Sequence, residues 1–302
     1  MKKVSIVGSG NVGVNSAFFI AEMGAGHVTL VDVKEGIAPG KALDLMEAAP
    51  IRSYRTRIEG SDEIAAIEGS DVVVLAAGRI REPGQDRLEH FEDNASTVRE
   101  ICRKVVKYAR DACVIVATEP VDAMVMVTAE ATGFDRHKVM GIGGILDSTR
   151  MAHFIAARLG VSPRDVTALV VGSHTNQMVP LPYYSRVNGI QIDQLLSPEA
   201  VQVIVNETRE AGTVIVELSK QANAYYAPSS AIAQVAEAIC IDTKKVMPLS
   251  VVLDGEYGMS DVALSVPCKV GAGGIEEIIS ITLRGEDLQD FEASAEPIRQ
   301  LF

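Results

Sequence analysis

The 302-residue chain is short of basic charge: 28 lysines and arginines stand against 40 aspartates and glutamates, a formal net charge of -12. That balance excludes a partner held by a basic surface, such as nucleic acid or an anionic membrane. Long apolar runs are missing too, and none approaches the ~18 residues a membrane-spanning helix needs. Cysteine is sparse: Cys102, Cys113, Cys240 and Cys268 are widely spaced, with no CxxC pair. Such usage fits reduced, mostly buried thiols and excludes a disulfide framework or a cysteine zinc site. The opening Met-Lys-Lys-Val-Ser-Ile-Val-Gly resembles a leader only in its two lysines, because glycine interrupts the apolar stretch before an export segment forms. The expectation is a cytoplasmic protein without bound metal.

What is present is ordinary for a globular protein, with 47% hydrophobic and 23% charged residues, and enough chain for two packed domains. In the first half, short Val/Ile-rich runs predict strands over Lys3–Val7, His27–Val31, Asp71–Ala77, Ala112–Thr118 and Lys138–Ile142. Amphipathic stretches between them predict helices near Asn11–Met23, Gly40–Ala49, Leu88–Ala109 and Val121–Thr132. Unalternated apolar strands separated by helices imply a doubly wound parallel sheet of Rossmann type, an α/β domain over residues 1–142.

From about Gly143 the pattern becomes α+β, a second domain over 143–302 that would hold substrate. Helices are expected at Asp147–Leu159, Pro198–Ala222, Ser229–Ala238 and Glu286–Leu301, and strands at Val166–Val171, Val246–Leu253 and Val262–Val270. The last helix places Leu288, Phe291, Ala295, Ile298 and Leu301 on one face.

Gly8-Ser9-Gly10-Asn11-Val12-Gly13 follows the first strand and opens the first helix. Gly8 permits the tight turn, Gly10 lets a pyrophosphate approach the backbone, and Gly13 lets helix pack on strand. The helix N-terminus, through Asn11 and Val12, then faces the phosphates with free N–H groups. Asp32, ending the second strand, would accept hydrogen bonds from the adenosine ribose and repel a 2′-phosphate, so NAD is expected over NADP.

In such a sheet the ligand crevice lies beyond the C-terminal strand ends. Three segments emerge there: the Gly/Pro-containing stretch 78–87 with Arg81 and Arg87, the turn at Glu119-Pro120, and the helix bearing Asp147 and Arg150. Arginines in so acidic a chain point to a small, doubly negative ligand, and the first stretch reads as a lid. Asp147 and Arg150 share a helix face, which also fits a plain surface ion pair. Of the five histidines, His174 alone has apolar sequence on both sides, which fits either a general base or a satisfied core residue.

These residues together resemble the lactate/malate dehydrogenase family, over essentially the whole chain. The matching pieces are Val-Gly-Ser-Gly-Asn-Val-Gly, Leu-Val-Asp, Ala-Ala-Gly with Arg-Glu-Pro-Gly-x-x-Arg, and Asn94-Ala95. Further along come Pro-Val-Asp-Ala-Met, Gly-Ile-Leu-Asp-Ser-Thr-Arg, Met-Val-Pro-Leu, Tyr-Tyr-Ala-Pro and Gly-Glu-Tyr-Gly. The resemblance implies His174 as acid/base, Asp147 as its orienting partner, Arg150 as a bidentate fork on the C1 carboxylate, and Arg87 as the group polarising the carbonyl. Arg81 stands where the family discriminates substrates, and arginine there is the malate pattern, so malate and oxaloacetate are expected. It further implies Asn94, Thr118 and Glu119 near the cofactor, Glu119 also near the substrate, and a homo-oligomer (tetramer or dimer) serving the tricarboxylic acid cycle.

Three positions depart from the family pattern. Glu119 stands where asparagine is usual, and Thr175 and Asn176 replace a glycine and an aspartate beside the histidine. An ionised glutamate only accepts hydrogen bonds, and it repels a dianionic substrate. One expectation is that Asn176 or a neighbour satisfies Glu119, the two positions having exchanged charge; the alternatives are a protonated Glu119, a Glu119 turned away from the ligand, or a changed activity toward another 2-hydroxy acid. A dinucleotide-binding homologue without turnover is the reading from another class, opposed by the intact set Arg81, Arg87, Asp147, Arg150 and His174.

Overall fold

The computed structural model describes residues 1–79, 90–220 and 224–302. Its central sheet begins with β1 (Lys3–Val7), β2 (His27–Val31), β3 (Ile58–Ser61), β4 (Val72–Leu75), β5 (Cys113–Val116) and β6 (Val139–Gly141), joined by α1 (Asn11–Met23), α2 (Ile37–Arg52), α3 (Phe91–Tyr108) and α4 (Val121–Thr132). These strands pair in parallel in the order 3-2-1-4-5-6. The chain therefore winds outward from β1, then restarts beside it at β4, leaving a crevice at that reversal. All of Val72–Leu75 and Cys113–Val116 is buried, as strands covered on both faces must be.

Local sequence explains the helices. In α1 the buried residues Gly13, Ser16, Ala17, Ile20 and Ala21 recur at helical spacing, and Gly24 ends the helix in the left-handed conformation at φ 65°. Full burial of Ile20 contributes roughly 1.5–3 kcal/mol. In α3 the buried stripe is Phe91, Asn94, Ala95, Val98, Cys102 and Val105. The N-terminal portion expected for α3, at Leu88, lies outside the described residues.

The second half opens with α5 (Gly143–Leu159). The expected strand 166–171 is two pieces serving different sheets: β7 (Val166–Thr167) and β8 (Val170–Val171). β8 pairs with β9 (Val179–Pro180), while β7 pairs with β10 (Arg186–Val187), which carries β11 (Ile190–Gln191) on its other side. α6 (Pro198–Ser219) and α7 (Tyr226–Cys240) follow, and 221–222 of the expected helix lie outside the described residues.

β12 (Lys245–Asp254) then pairs antiparallel with β6, β13 (Ser260–Gly271) with β12, and β14 (Gly274–Ile278) with β13. The sheet thus runs on across position 142 as a single nine-stranded surface among the described residues. β3 and β14 escape a reading of apolar runs because both are edge strands, Ile-Glu-Gly-Ser and Gly-Ile-Glu-Glu-Ile, only partly buried. The single terminal helix is corrected to α8 (Gly285–Ala293) and α9 (Glu296–Arg299), parted where the Ser294 hydroxyl donates back to the Phe291 carbonyl at 2.7 Å. Phe291, Ala295 and Ile298 are buried as expected, whereas Leu288 is exposed.

All four cysteines are free, three of them buried. Burial pushes Cys102 and Cys113 up to about 11 and Cys240 and Cys268 up to about 12, which keeps the thiols protonated and unreactive. Among the described residues no helix is long and apolar enough to cross a membrane.

Candidate active site

The glycine turn between β1 and α1 has the shape a pyrophosphate requires. Gly8 sits at φ 105°, and a Cβ there would come within 2.6 Å of the Ala76 carbonyl carbon on β4's exit. A Cβ at Gly13 would run into the Gly8 carbonyl, so the helix packs on the turn only with glycine there. Gly10, by contrast, is exposed with nothing within 4 Å of a Cβ, an open approach to the backbone. No side chain caps α1, and its first turn holds no acid, so its N–H groups and dipole are available to an anion. Asp32 stands at the end of β2, its oxygens accepting from Ser9 N at 2.8 Å and Lys34 N at 3.0 Å, with further lone pairs left for hydroxyl donors. Lys41 on α2 donates to the Ser9 carbonyl at 2.7 Å and puts one positive charge at the turn. Nothing in the sequence pattern singles that lysine out.

Asn94 and Thr118 work as ties between the strand exits. Asn94, buried on α3, accepts from Arg79 N at 2.8 Å and donates to the Glu119 carbonyl at 2.7 Å, joining the loop after β4 to the loop after β5. Thr118 donates to the Ala77 carbonyl at 2.7 Å, and Gly78 leaves room for both side chains. Arg81 and Arg87 lie outside the described residues.

His174 follows β8 in a segment anchored to the sheet, where Gly172 and Ser265 exchange backbone bonds of 3.0 and 2.9 Å and Ser173 N donates to the Ser294 hydroxyl. The ring is 3% exposed. Its Nδ1 lies 2.6 Å from Asp147 Oδ2 on α5, and Asp147 Oδ1 accepts from Arg150 Nη1 at 3.3 Å. The Asp147–Arg150 pair is thus real but not superficial: the side chains are 2% and 10% exposed. The Asp147 carboxylate at Nδ1 orients the ring and leaves Nε2 as the nitrogen that exchanges the substrate proton. Gly143 permits this approach, since a Cβ there would stand 2.7 Å from the His174 Cβ. The other histidines do not share this setting: His27 opens β2, His90 immediately precedes α3, His137 pairs with Asp135, and His153 is exposed on α5.

One further carboxylate, quoted above within Pro-Val-Asp-Ala-Met but given no role there, meets the histidine. Asp122, on the first turn of α4, is 1% exposed, and its Oδ2 accepts the His174 backbone N–H at 2.6 Å. Its Oδ1 is buried without a hydrogen-bond partner, as are the hydroxyls of Ser250 and Ser265, cross-strand neighbours on β12 and β13. Burial pushes the Asp122 carboxyl up to about 6, against the pull of the Ser250 hydroxyl and the His174 N–H; the neighbouring Glu119 adds to the rise. The Ser250 hydroxyl is close enough to be felt without closing a full hydrogen bond. The signal in the sequence was a lone carboxylate inside Val-Asp-Ala-Met-Val-Met-Val.

Glu119 does not exchange charge with Asn176. Thr175 holds a local turn, its hydroxyl 2.8 Å from the Ser173 hydroxyl and accepting from Gln177 N at 3.0 Å, and this turns Asn176 out to solvent. Glu119 instead brings Oε1 to 3.4 Å from His174 Nε2, the ring nitrogen that Asp147 does not hold, while Oε2 is 3.4 Å from Val121 N.

A switch-point crevice with a glycine cradle on one side and a buried His–Asp couple on the other defines a dinucleotide-dependent oxidoreductase. Comparison with known proteins places it more narrowly. Residues 2–141 match the lactate/malate dehydrogenase NAD binding domain, and 145–301 the alpha/beta C-terminal domain of the same proteins. The chain is 42% identical over 300 residues to the malate dehydrogenase of Methanosarcina mazei, covering 99% of this chain and 98% of that one. Its fold superposes on Cryptosporidium parvum malate dehydrogenase with a TM-score of 0.97 at 34% identity, covering 99% and 97%. It superposes on the lactate dehydrogenase of that organism, solved with lactic acid and NAD, with a TM-score of 0.96 at 33% identity, covering 99% and 96%. The chain belongs to the lactate/malate dehydrogenase family and is an NAD-dependent dehydrogenase.

Proposed function

We propose that the chain interconverts (S)-malate and oxaloacetate with NAD. The observation that carries this reading is the buried His174–Asp147–Arg150 constellation, facing the crevice beside the glycine cradle. Gly8, Gly10, Asn11, Val12, Gly13 and Asp32 would hold NAD, with Asn94, Thr118 and Glu119 bordering it. NAD supplies, when bound, the hydride acceptor for C2 of malate.

His174 Nε2 takes the malate hydroxyl proton, and Asp147 stabilises the imidazolium that forms. In the reverse direction the protonated ring donates to the developing alkoxide, assisted by Arg87. Arg150 orients the C1 carboxylate through its planar fork. Arg81 is the counter-ion for the second carboxylate, and pyruvate would leave that charge unpaired in a closing site. The half 1–142 serves the cofactor and 143–302 the substrate. Resemblance to the family further supports a homo-oligomer, tetramer or dimer, and a cytoplasmic role in the tricarboxylic acid cycle; the free, protonated thiols fit a reducing compartment.

The test is NADH oxidation with oxaloacetate and with pyruvate, NADPH serving as control. Rapid oxidation confined to oxaloacetate and NADH supports the reading. A clear preference for a substrate lacking the second carboxylate overturns it in favour of a different 2-hydroxy acid, the alternative that Glu119 at the substrate side of His174 keeps open. NADH binding without turnover of any 2-oxo acid would point to a homologue that only binds the dinucleotide.

A further inference from the structure

Three carboxylates from three elements face His174. Asp147 of α5 lies 2.6 Å from Nδ1, Asp122 of α4 lies 2.6 Å from the backbone nitrogen, and Glu119 of the loop after β5 lies 3.4 Å from Nε2. The cation facing this group among the described residues is Arg150, engaged with Asp147 on the far side. Nε2 is the nitrogen that must meet the substrate, because Asp147 already holds Nδ1. The three carboxylates differ in their access to water: the Glu119 side chain is 40% exposed, that of Asp147 is 2% exposed, and Asp122 is buried.

We propose that Glu119 is a positioning residue for the acid/base: in the substrate-free protein its carboxylate keeps a proton on Nε2 of His174 and connects that buried nitrogen with solvent. This rests on the malate dehydrogenase reading above. An anion at each ring nitrogen favours the doubly protonated ring, which is the form that binds a 2-oxo acid productively. When His174 has given its Nε2 proton to the alkoxide, a proton taken up by Glu119 from water passes to Nε2, and the carboxylate is regenerated. Malate needs the neutral ring, so it must wait for that proton to leave. The residue therefore tilts the enzyme toward reduction at neutral pH, and an asparagine at 119 would not.

The effect expected is about one pH unit on His174, the low end for an opposite charge within ~4 Å, because Glu119 is partly screened by water. Glu119→Gln keeps shape and removes charge, and Glu119→Asn is the second variant. Two readouts are compared with wild type: the ring titration of His174 in the ligand-free protein, by NMR with the signal assigned through His174→Asn, and the pH profile of kcat/KM for malate oxidation. In both variants the titration and the acid limb of the profile should move down by about one unit. At pH values below both limbs malate oxidation then rises about tenfold. An unchanged titration in a folded variant overturns the proposal. If oxaloacetate is not reduced at all, the functional reading fails, yet the titration still reports the Glu119–His174 pair; if oxaloacetate is reduced and the titration does not move, only this inference falls.

Discussion

Replacing Asp122 with asparagine should stabilise the protein at neutral pH, although it removes a charge beside the acid/base. The carboxyl is fully buried and its value rises from 3.8 to about 6. A group that binds its proton more tightly in the folded state favours folding at low pH, and that advantage is lost as pH rises. Stability should fall from near 3.8 until about 6 is passed, then level off. A rise of about two units corresponds to roughly 3 kcal/mol, with no screening to discount at a buried site. Asparagine still offers an oxygen to the His174 N–H, while its amide N–H groups face the neighbouring Ser250 hydroxyl, which closes no full hydrogen bond now. Asp122→Asn should therefore match wild type near pH 4 and exceed it by up to about 3 kcal/mol above pH 6. Urea unfolding at fixed protein concentration, followed by circular dichroism from pH 4 to 8, measures the difference directly. A variant less stable than wild type at pH 8 would refute the argument, because ionised Asp122 would then be better satisfied than its burial and open Oδ1 imply.

Other perturbations separate chemistry from binding and from stability. Asp147→Asn should lower kcat by about 10²–10⁴-fold through loss of ring orientation, with NADH affinity held within a factor of about two; an equal loss in NADH binding would place Asp147 in the wrong role. Gly10→Val should fold normally, since nothing lies within 4 Å of its Cβ, yet lose NADH binding. The chain has no tryptophan, so the rise in NADH fluorescence reads that binding without interference, and unimpaired binding would rule out the cradle. The Arg136 guanidinium holds Glu256 down to about 2 through a paired contact at 2.7 and 3.1 Å. The stability this adds is complete above 4.5 and is lost as pH falls through the folded value near 2. Glu256→Gln should cost about 2 kcal/mol at pH 7, after allowance for partial exposure, and nearly nothing at pH 2; a loss independent of pH would mean the pair acts by packing alone.

Local pattern carried much of this molecule. β1, β2, α1 and α4 lie where hydrophobic periodicity and glycine placed them, because strand and helix periods are written within a few consecutive residues. The glycine turn and Asp32 were legible for the same reason, since the turn, the helix start and the strand end are adjacent in sequence. Edge strands β3 and β14 were not, as a half-exposed strand lacks the continuous apolar run that marks a buried one.

Sequence alone thus determined the buried strands and most helices of the first half, the dinucleotide cradle and, through resemblance, the His174–Asp147 pairing. Tertiary structure decided what those groups meet. Whether Asp147 and Arg150 form a surface pair or a buried one depended on α5 being packed against α6 and β12, which come far along the chain. Asp122 reaches His174 across 52 positions, and the Ser250 hydroxyl beside it lies on β12, later still in the chain. Glu119 turned to the ring because the Asn94 side chain and the ties of Thr118 hold its loop there, while Thr175 turned Asn176 away. Periodicity is a property of neighbours in sequence; the protonation of a buried imidazole depends on charges that only the order of the strands brings together.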